Sequence, residues 1–231
     1  MNRDAFEPYE RALAAGDPLW AWSEDGNAVA LDIDRWRAPA DDTDLDIVRR
    51  SRSPVLDVGC GPGRIVEAMT DHGRLALGID VSPGAVAMTR ARGLNALRRD
   101  VFDTLPGEQR WRTIVVLDGS VGIGGDLPLL LVRLRKLLAR DGQLLIETHP
   151  DAARHESRSI RLGTRLHPVG PPFAWTSVGA GALADAGDDA GLTVVDTWTR
   201  DGRAFVALEP LALEFIDEAD IEDVRDGALR P

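Results

Sequence analysis

The chain of 231 residues is long enough for one full domain and an additional segment, and its 44% hydrophobic content can form a core without disulfide or metal support. Its 38 acidic and 27 basic residues give a net charge of -11, which disfavours broad binding to nucleic acid or to an anionic membrane. The only cysteine, Cys60, excludes an intrachain disulfide, and no run is apolar enough for an export signal or a membrane span. We therefore expect a cytoplasmic protein.

The N-terminal segment, residues 1–52, differs in pattern from the rest of the chain. An amphipathic helix is expected to place Phe6, Tyr9 and Leu13 on one face, and a hairpin about residues 24–27 should follow it. The strands of this hairpin are predicted at residues 19–22 and 28–33. The segment also contains three tryptophans, Trp20, Trp22 and Trp36. Because so short a segment is not expected to fold alone, it must dock, and the mouth of an active site is the functional candidate.

Residues 53–209 alternate short apolar runs with helical segments, which predicts a mostly parallel sheet covered by helices on both faces. The strands are predicted at residues 55–58, 75–80, 96–99, 113–117, 143–148, 192–198 and 203–208. The helices are predicted at residues 63–72, 83–92, 127–140 and 179–190. The last two strands are joined only by residues 199–202, which is too short for a crossover helix, so this pair must be an antiparallel hairpin.

Two regions outside this alternation differ in charge. Residues 151–175 carry four arginines against two acidic residues, which would suit an anionic small substrate. A solvated hairpin of residues 159–162 and 164–167 about Gly163, with its arginines paired to the acidic tail, is the alternative. That tail, residues 210–231, has seven acidic residues against two arginines, with apolar residues interspersed among them, and is expected to form a docked or partly ordered helix.

A glycine-rich turn follows the first predicted strand of the sheet. The sequence Asp57-Val58-Gly59-Cys60-Gly61-Pro62-Gly63 joins a buried strand to a helix. Its glycines allow a tight turn and close approach of the backbone to a ligand. The spacing is G-x-G-x-G, which differs from the G-x-G-x-x-G dinucleotide pattern. A carboxylate at Asp57 would be repelled by a pyrophosphate but would attract an ammonium or a sulfonium group.

Two further acids follow the next two strands. Asp80 ends the second strand, where a carboxylate can accept hydrogen bonds from both hydroxyls of a ribose. Asp100 follows the third strand and, with its two apolar neighbours, offers partners for an adenine ring. On the glycine turn and these two acids, the chain resembles the class I S-adenosylmethionine-dependent methyltransferases over about residues 53–209.

The resemblance implies a Rossmann-like, doubly wound α/β fold with a seven-stranded sheet of order 3214576 and an antiparallel last strand, to which the N-terminal helix and hairpin are appended. It also implies S-adenosyl-L-methionine as the cofactor. The predicted cofactor-binding residues are Tyr9, Asp57, Gly59, Cys60, Gly61, Gly63, Asp80, Val81, Asp100, Val101, Phe102, Leu117, Asp118 and Ser120. Cys60 is expected to pack as a small loop residue, because no group that would activate its thiol is evident.

The candidate catalytic residues are Asp118 after the fourth strand and His149 after the fifth. The carboxyl ends of parallel strands meet at one edge of the sheet, so both residues should lie beside the ligands. His149 is the better candidate for a general base, although a base is needed only if the acceptor is protonated. A turn-capping role for Asp118 and an ordinary strand exit at His149 stay open.

The acceptor is predicted to be a small molecule. The sequence after the fourth strand lacks the Asn/Asp-Pro-Pro-Tyr/Phe pattern of many methyltransferases that act on nucleobases or amides, and no set of metal ligands accompanies Asp118, so no metal is expected. Two alternatives stay open, namely a catalytically silent protein that binds the cofactor and an NAD-dependent oxidoreductase. The sequence does not indicate the oligomeric state.

Overall fold

The structure is a computed structural model that describes residues 3–211. The helix predicted in the acidic tail lies outside the described residues. The strands are β1 (Leu19–Ser23), β2 (Ala28–Leu31), β3 (Val55–Val58), β4 (Ala76–Asp80), β5 (Ala96–Arg98), β6 (Trp111–Val116), β7 (Leu138–Thr148), β8 (His155–Gly163), β9 (Phe173–Val178), β10 (Leu192–Arg200) and β11 (Arg203–Pro210). The helices are α1 (Glu7–Ala15), α2 (Ile33–Arg37), α3 (Asp42–Arg50), α4 (Arg64–Asp71), α5 (Pro83–Ala91), α6 (Leu127–Leu137) and α7 (Ala180–Asp189).

Seven strands form the central sheet in the order β10-β11-β7-β6-β3-β4-β5. The pairs from β7 through to β5 are parallel, whereas β11 is antiparallel to both β7 and β10. Asp201 and Gly202 join β10 to β11 with φ values of 49° and 79°, as a type I′ hairpin turn requires. Counted along this sheet, the order is 3214576 with an antiparallel last strand, which confirms the predicted topology.

Helices cover both faces of the central sheet. On one face, Ile47 of α3 and Met69 of α4 belong to one buried cluster. On the other face, Leu130 and Leu134 of α6 pack with Leu183 of α7. This doubly wound arrangement leaves the carboxyl ends of the parallel strands available for ligands. Within residues 3–211, no helix combines the length and the apolar character that crossing a membrane requires.

A second sheet of four strands, in the order β2-β1-β8-β9, lies over that edge of the central sheet. The predicted hairpin of β1 and β2 is present, and its strand β1 also pairs antiparallel with β8. A buried cluster joins this sheet to α1 and α5 through Leu13, Leu19, Ala85 and Leu162. The N-terminal segment therefore docks by supplying two strands to a sheet that the insertion after β7 completes.

The hairpin predicted about Gly163 is wrong. Residues 155–163 form one strand, and the chain returns as β9 from Phe173. The segment after Gly163 is a turn in which the amide of Thr164 donates a hydrogen bond to the carbonyl of His167. The strand that pairs with β8 is β9, which begins beyond this turn. The prediction therefore placed the second strand of the hairpin too close to Gly163.

A buried cluster of charged side chains ties the N-terminal segment to the central sheet. Asp44 of α3 is fully buried, caps its own helix through the amide of Asp41, and forms ion pairs with Arg35, Arg64 and Arg203. We call this the Asp44 cluster; its members are Arg35, Asp44, Arg64, Asp118, Glu147 and Arg203. Since buried charges are tolerated only when they are paired, each member depends on the others.

We expect Asp44→Ala to lower the free energy of unfolding by about 3–5 kcal/mol, because it leaves buried guanidinium groups without their carboxylate. Asp42→Ala, at an exposed position of the same helix, is the matched control and should change it by less than about 1 kcal/mol. Urea unfolding of both variants measures the difference. Equal losses in the two variants would contradict the role given to the cluster.

Candidate active site

A cavity of about 560 Å³ lies between the carboxyl ends of β3, β4, β6 and β7 and a cover formed by α1 and the second sheet. Its floor includes the glycine turn after β3, and its cover includes Phe6, Tyr9, Trp36 and Trp175. This is the sheet edge at which open α/β folds bind ligands. The predicted position of the N-terminal segment at the mouth of a site agrees with this arrangement.

The first two glycines of the turn are held close to side chains from other elements. Gly59 and Gly61 have φ values of 76° and 52°, in the left-handed region. A Cβ atom at Gly59 would lie 2.5 Å from Oγ of Ser120, and one at Gly61 would lie 3.1 Å from the hydroxyl of Tyr9. These glycines therefore keep the backbone free to approach a ligand in the cavity.

Gly63 has a different role from the one that the resemblance implies. It does not line the cavity, and a Cβ atom there would lie 2.5 Å from Cγ2 of Thr89 in α5. Thr89 in turn donates a hydrogen bond to the carbonyl of Gly61. Gly63 thus allows α4 to begin against α5, and it supports the turn without facing a ligand.

Asp57 contributes to the floor a carboxylate oxygen that lacks a protein partner. It is 3% exposed, and within residues 3–211 its Oδ2 has no hydrogen-bond partner. Burial, with Asp118 and Asp80 nearby, raises the pKa of the Asp57 carboxyl well above its usual range. A cation placed beside Oδ2 would relieve both the missing hydrogen bond and the repulsion, so the site favours a positively charged group here.

Asp80 is held at the end of β4 by two backbone amides. Its Oδ2 accepts a hydrogen bond from the amide of Gly61 at 2.9 Å, and its Oδ1 accepts one from the amide of Ser82 at 2.8 Å. Burial raises the pKa of Asp80, and these hydrogen bonds oppose the increase. Each oxygen keeps a second lone pair, so the carboxylate can also accept hydrogen bonds from a ribose.

Tyr9 enters the cavity from α1. Its ring lies edge-on to Trp36 with 6.0 Å between centroids. Burial, followed by the nearby Asp80 and Cys60, raises the pKa of Tyr9 well above its usual value. The phenol therefore stays protonated and can donate a hydrogen bond to an anionic group such as a carboxylate.

The thiol of Cys60 also faces the cavity, and it is suited to packing. Cys60 is 7% exposed, and its Sγ would lie 2.6 Å from a Cβ atom at Gly78 of β4. Burial, with Asp57 and Asp80, raises the pKa of the thiol well above its usual value. A protonated, buried thiol is a poor nucleophile, in agreement with the packing role expected from the sequence.

Eleven of the predicted site residues line the cavity, namely Tyr9, Asp57, Gly59, Cys60, Gly61, Asp80, Val81, Leu117, Asp118, Ser120 and His149. The predicted adenine group lies outside it. Asp100 accepts a hydrogen bond from the amide of Phe102, Val101 is buried in the core beneath α6, and Phe102 packs at Gly124. The group lies at a tight turn after β5, directly beyond Arg99, which does line the cavity.

Asp118 is brought to the cavity, but arginines hold its carboxylate. Arg64 donates a hydrogen bond to its Oδ2, and Arg35 lies 3.0 Å from its Oδ1. Its backbone, at a φ of 54°, donates an amide hydrogen bond to Glu147. Burial raises the pKa of Glu147, but the hydrogen bond and the charge of Arg203 outweigh burial, so the pKa of Glu147 is lowered. Because two guanidinium groups already occupy this carboxylate, these contacts favour a positioning role for Asp118.

His149 is exposed at the cavity wall. Its Nδ1 lies 3.0 Å from the amide nitrogen of Asp151, and because the amide is a donor, Nδ1 must accept this hydrogen bond. The neutral ring then carries its proton on Nε2. In this arrangement His149 offers a hydrogen-bond donor to a ligand, which disfavours the predicted role as a general base.

Arg64 is a cavity residue that the sequence analysis missed. Arg64 directly follows the glycine turn, is 3% exposed, and bonds to Asp44 and Asp118. Its position as the first residue of the helix after a glycine turn was a usable signal. The partners of Arg64 come from distant segments, so the sequence alone could not indicate its ion pairs.

The arginines of the insertion are mostly engaged within the protein. Arg154 and Arg158 both pair with Glu156, and Arg161 donates a hydrogen bond to the carbonyl of Gly170. Among the four arginines, Arg154 alone lines the cavity. The acidic tail, which was the predicted partner of these arginines, lies outside the described residues.

Comparison with known proteins agrees with the site. The methyltransferase domain family matches residues 31–197, which is more than half of the chain. The trans-aconitate 2-methyltransferase of Rhodococcus jostii is 30% identical over 196 residues, which cover 78% of this chain and 74% of that protein.

Solved structures share the fold. A methyltransferase of Bacteroides fragilis in complex with S-adenosyl-L-homocysteine aligns with a TM-score of 0.75 at 20% identity, and the alignment covers 91% of this chain and 98% of that one. The 1,6-didemethyltoxoflavin-N1-methyltransferase of Burkholderia thailandensis aligns with a TM-score of 0.57 at 17% identity, over 74% of this chain and 77% of that one. On the family match, the identity to the Rhodococcus enzyme and the strand order, the chain belongs to the class I S-adenosylmethionine-dependent methyltransferases.

Proposed function

We propose that the protein transfers a methyl group from S-adenosylmethionine to a small-molecule acceptor inside the cavity beneath the second sheet. The observation that carries this proposal is the buried, unpartnered Oδ2 of Asp57 at the floor of that cavity. The cofactor carries an ammonium group and a sulfonium, and a buried carboxylate without a partner fits such a cation. The family match removes the NAD-dependent oxidoreductase from consideration.

The described residues fit the remaining parts of the cofactor. Asp57 would hold the amino group, Asp80 the ribose hydroxyls, and the protonated phenol of Tyr9 the carboxylate. Gly59 and Gly61 would let the backbone lie against the methionine portion. The adenine contacts of Asp100 and its two neighbours stay a prediction, and they require a ligand to extend past Arg99, which lines the cavity, to the turn after β5.

Positioning is the main contribution that this chain can make to catalysis. When bound, the cofactor supplies a methyl group on a sulfonium, so an acceptor lone pair can displace the sulfur in line without further activation. The rigid floor and the cover can hold the acceptor at that angle. Asp118 fixes the turn beside the reacting atoms, and His149 can donate a hydrogen bond from Nε2 to the acceptor.

A small molecule is the acceptor class that the cavity favours. Its volume of about 560 Å³ lies within the ordinary range for small-molecule sites, and α1 and the second sheet cover it. The Rhodococcus and Burkholderia enzymes are methyltransferases named for trans-aconitate and 1,6-didemethyltoxoflavin, which are small molecules. A cytoplasmic location stays a prediction.

An anionic acceptor, as the basic insertion suggested, is supported by the name of the Rhodococcus relative. The pairing of Arg154 with Glu156 speaks against it, because that guanidinium already has a carboxylate partner. Binding of a carboxylate would have to displace Glu156.

We expect Asp57→Asn to weaken binding of S-adenosylhomocysteine about tenfold to a hundredfold, because the product keeps the ammonium group that Asp57 would hold. The same change should raise the melting temperature of the free protein at neutral pH. The folded pKa of Asp57 lies above its unfolded value, so the free protein loses stability as pH rises through that folded pKa, and an amide removes this loss. Calorimetry and thermal unfolding measure the two effects. An unchanged affinity would contradict the assignment.

Asp80→Ala should weaken S-adenosylhomocysteine binding by about 1–3 kcal/mol through the lost hydrogen bonds to a charged acceptor. NAD serves as the control ligand and should not bind either protein measurably. Wild-type protein that binds the product but methylates no compound in a chemically broad panel would identify the catalytically silent alternative.

His149→Ala should lower kcat for the acceptor while it leaves the affinity for S-adenosylhomocysteine unchanged, since the side chain lies on the acceptor side of the cavity. If His149 acts as a donor, the remaining pH profile of kcat should keep the wild-type shape. A pH-dependent step that disappears in the variant would restore the general-base role. Full activity at every pH would exclude both roles.

A further inference from the structure

The inner face of the second sheet is apolar and belongs to the cavity wall. Register places alternate residues of each strand on this face: Ala21 of β1 lies opposite Leu162 of β8, and Ile160 of β8 lies opposite Phe173 of β9. These four residues line the cavity, and so does Trp175, two positions beyond Phe173 on the same face. The face therefore presents a continuous hydrocarbon surface to whatever lies beneath it.

Three rings form a row along this surface, which we call the aromatic row: Phe6, Phe173 and Trp175. The ring centroids of Phe6 and Phe173 are 5.0 Å apart, and those of Phe173 and Trp175 are 5.9 Å apart in an edge-on arrangement. Trp175 also lies against Gly122, where a Cβ atom would collide with the indole. The row is thus fixed by its neighbours and ready to pack against a flat ligand.

The cavity offers no unpaired cation opposite the aromatic row. Three arginines line it within the described residues: Arg64 pairs with Asp44 and Asp118, Arg154 pairs with Glu156, and Arg99 is exposed at the end of β5, beside the predicted adenine region. The cavity lining also includes the hydroxyl of Ser177 and the imidazole of His149. An acceptor with several carboxylates would bury charges without partners.

We propose that the acceptor is an uncharged ring compound that lies against the aromatic row. A lone pair on its ring nitrogen or hydroxyl oxygen would form the new bond to the methyl carbon while the bond from that carbon to the cofactor sulfur breaks and its electron pair stays on the sulfur; a hydroxyl acceptor would release its proton to solvent water. Its carbon framework is buried by the inner face of the second sheet. Ser177 and His149 supply hydrogen bonds to a single polar substituent. This inference rests on the proposed function, and it separates this chain from a methyltransferase whose acceptor is a tricarboxylate.

The test compares two probe sets on the protein loaded with S-adenosylhomocysteine. The first contains 2-naphthol, indole and 4-hydroxyquinoline, and the second contains trans-aconitate and citrate. Calorimetry should give the tightest ring compound at least a tenfold higher affinity than either polycarboxylate. Absence of binding by all three ring compounds, or tighter binding of a polycarboxylate, would overturn the proposal.

A pair of tryptophan substitutions in the same sheet locates the binding surface. Trp175→Leu should weaken binding of the best ring compound roughly fivefold through loss of the ring contact. Trp22→Leu is the control, because Trp22 does not line the cavity and its indole donates a hydrogen bond to the carbonyl of Thr164. Equal effects of the two changes would also overturn the proposal.

Product binding keeps the two hypotheses separate. Both variants should bind S-adenosylhomocysteine with wild-type affinity, which shows that they fold and retain the cofactor site. Phe173→Leu replaces Trp175→Leu if that variant loses product binding, and the same fivefold weakening is expected. Failure of the wild-type protein to bind the product would contradict the proposed function itself, whereas product binding without ring binding contradicts only this inference.

Discussion

The ion pairs of Arg64 are the contacts on which the site depends. Arg64 is the first residue of α4, directly after the glycine turn, and its guanidinium joins Asp44 of the N-terminal segment to Asp118 after β6. A buried guanidinium is stable only with such partners in place. The position of the glycine turn, the docking of the N-terminal segment and the turn after β6 are therefore coupled through one side chain.

Three neighbouring carboxylates at the floor of the cavity differ in the partners that compensate their charge. Arginines compensate the charge of Asp118, and two backbone amides compensate that of Asp80. Asp57 has an oxygen without any partner, and burial, together with both other carboxylates, raises its pKa. Because the first two are already satisfied, an incoming cation gains most at Asp57. The floor thus selects the charge and the orientation of its ligand by leaving one group unsatisfied.

Local sequence patterns were sufficient to predict the central sheet and its glycine turn. Alternation of strands and helices, helix caps and short connections can each be recognised from a few consecutive residues. The pairing of β1 with β8 was not predictable in this way. Trp22 and Thr164 are in contact although 142 residues separate them, and neither strand carries a signal that names its partner. Helix α3 could have been found, because Asp41 and Asp44 form a capping box at the right spacing. The role of Gly63 depended on Thr89, which only the packing reveals.

The floor and the cover of the cavity are formed by different parts of the chain. The floor comes from the ends of consecutive parallel strands, so the proposed cofactor residues other than Tyr9 belong to the central sheet and its turns. The cover needs β1 and β2 from the N-terminal segment and β8 and β9 from the insertion, and neither pair forms a closed wall by itself. The proposed acceptor surface therefore exists only in the assembled sheet, and Asp44, which holds the N-terminal segment in place, would contribute to specificity without touching the acceptor.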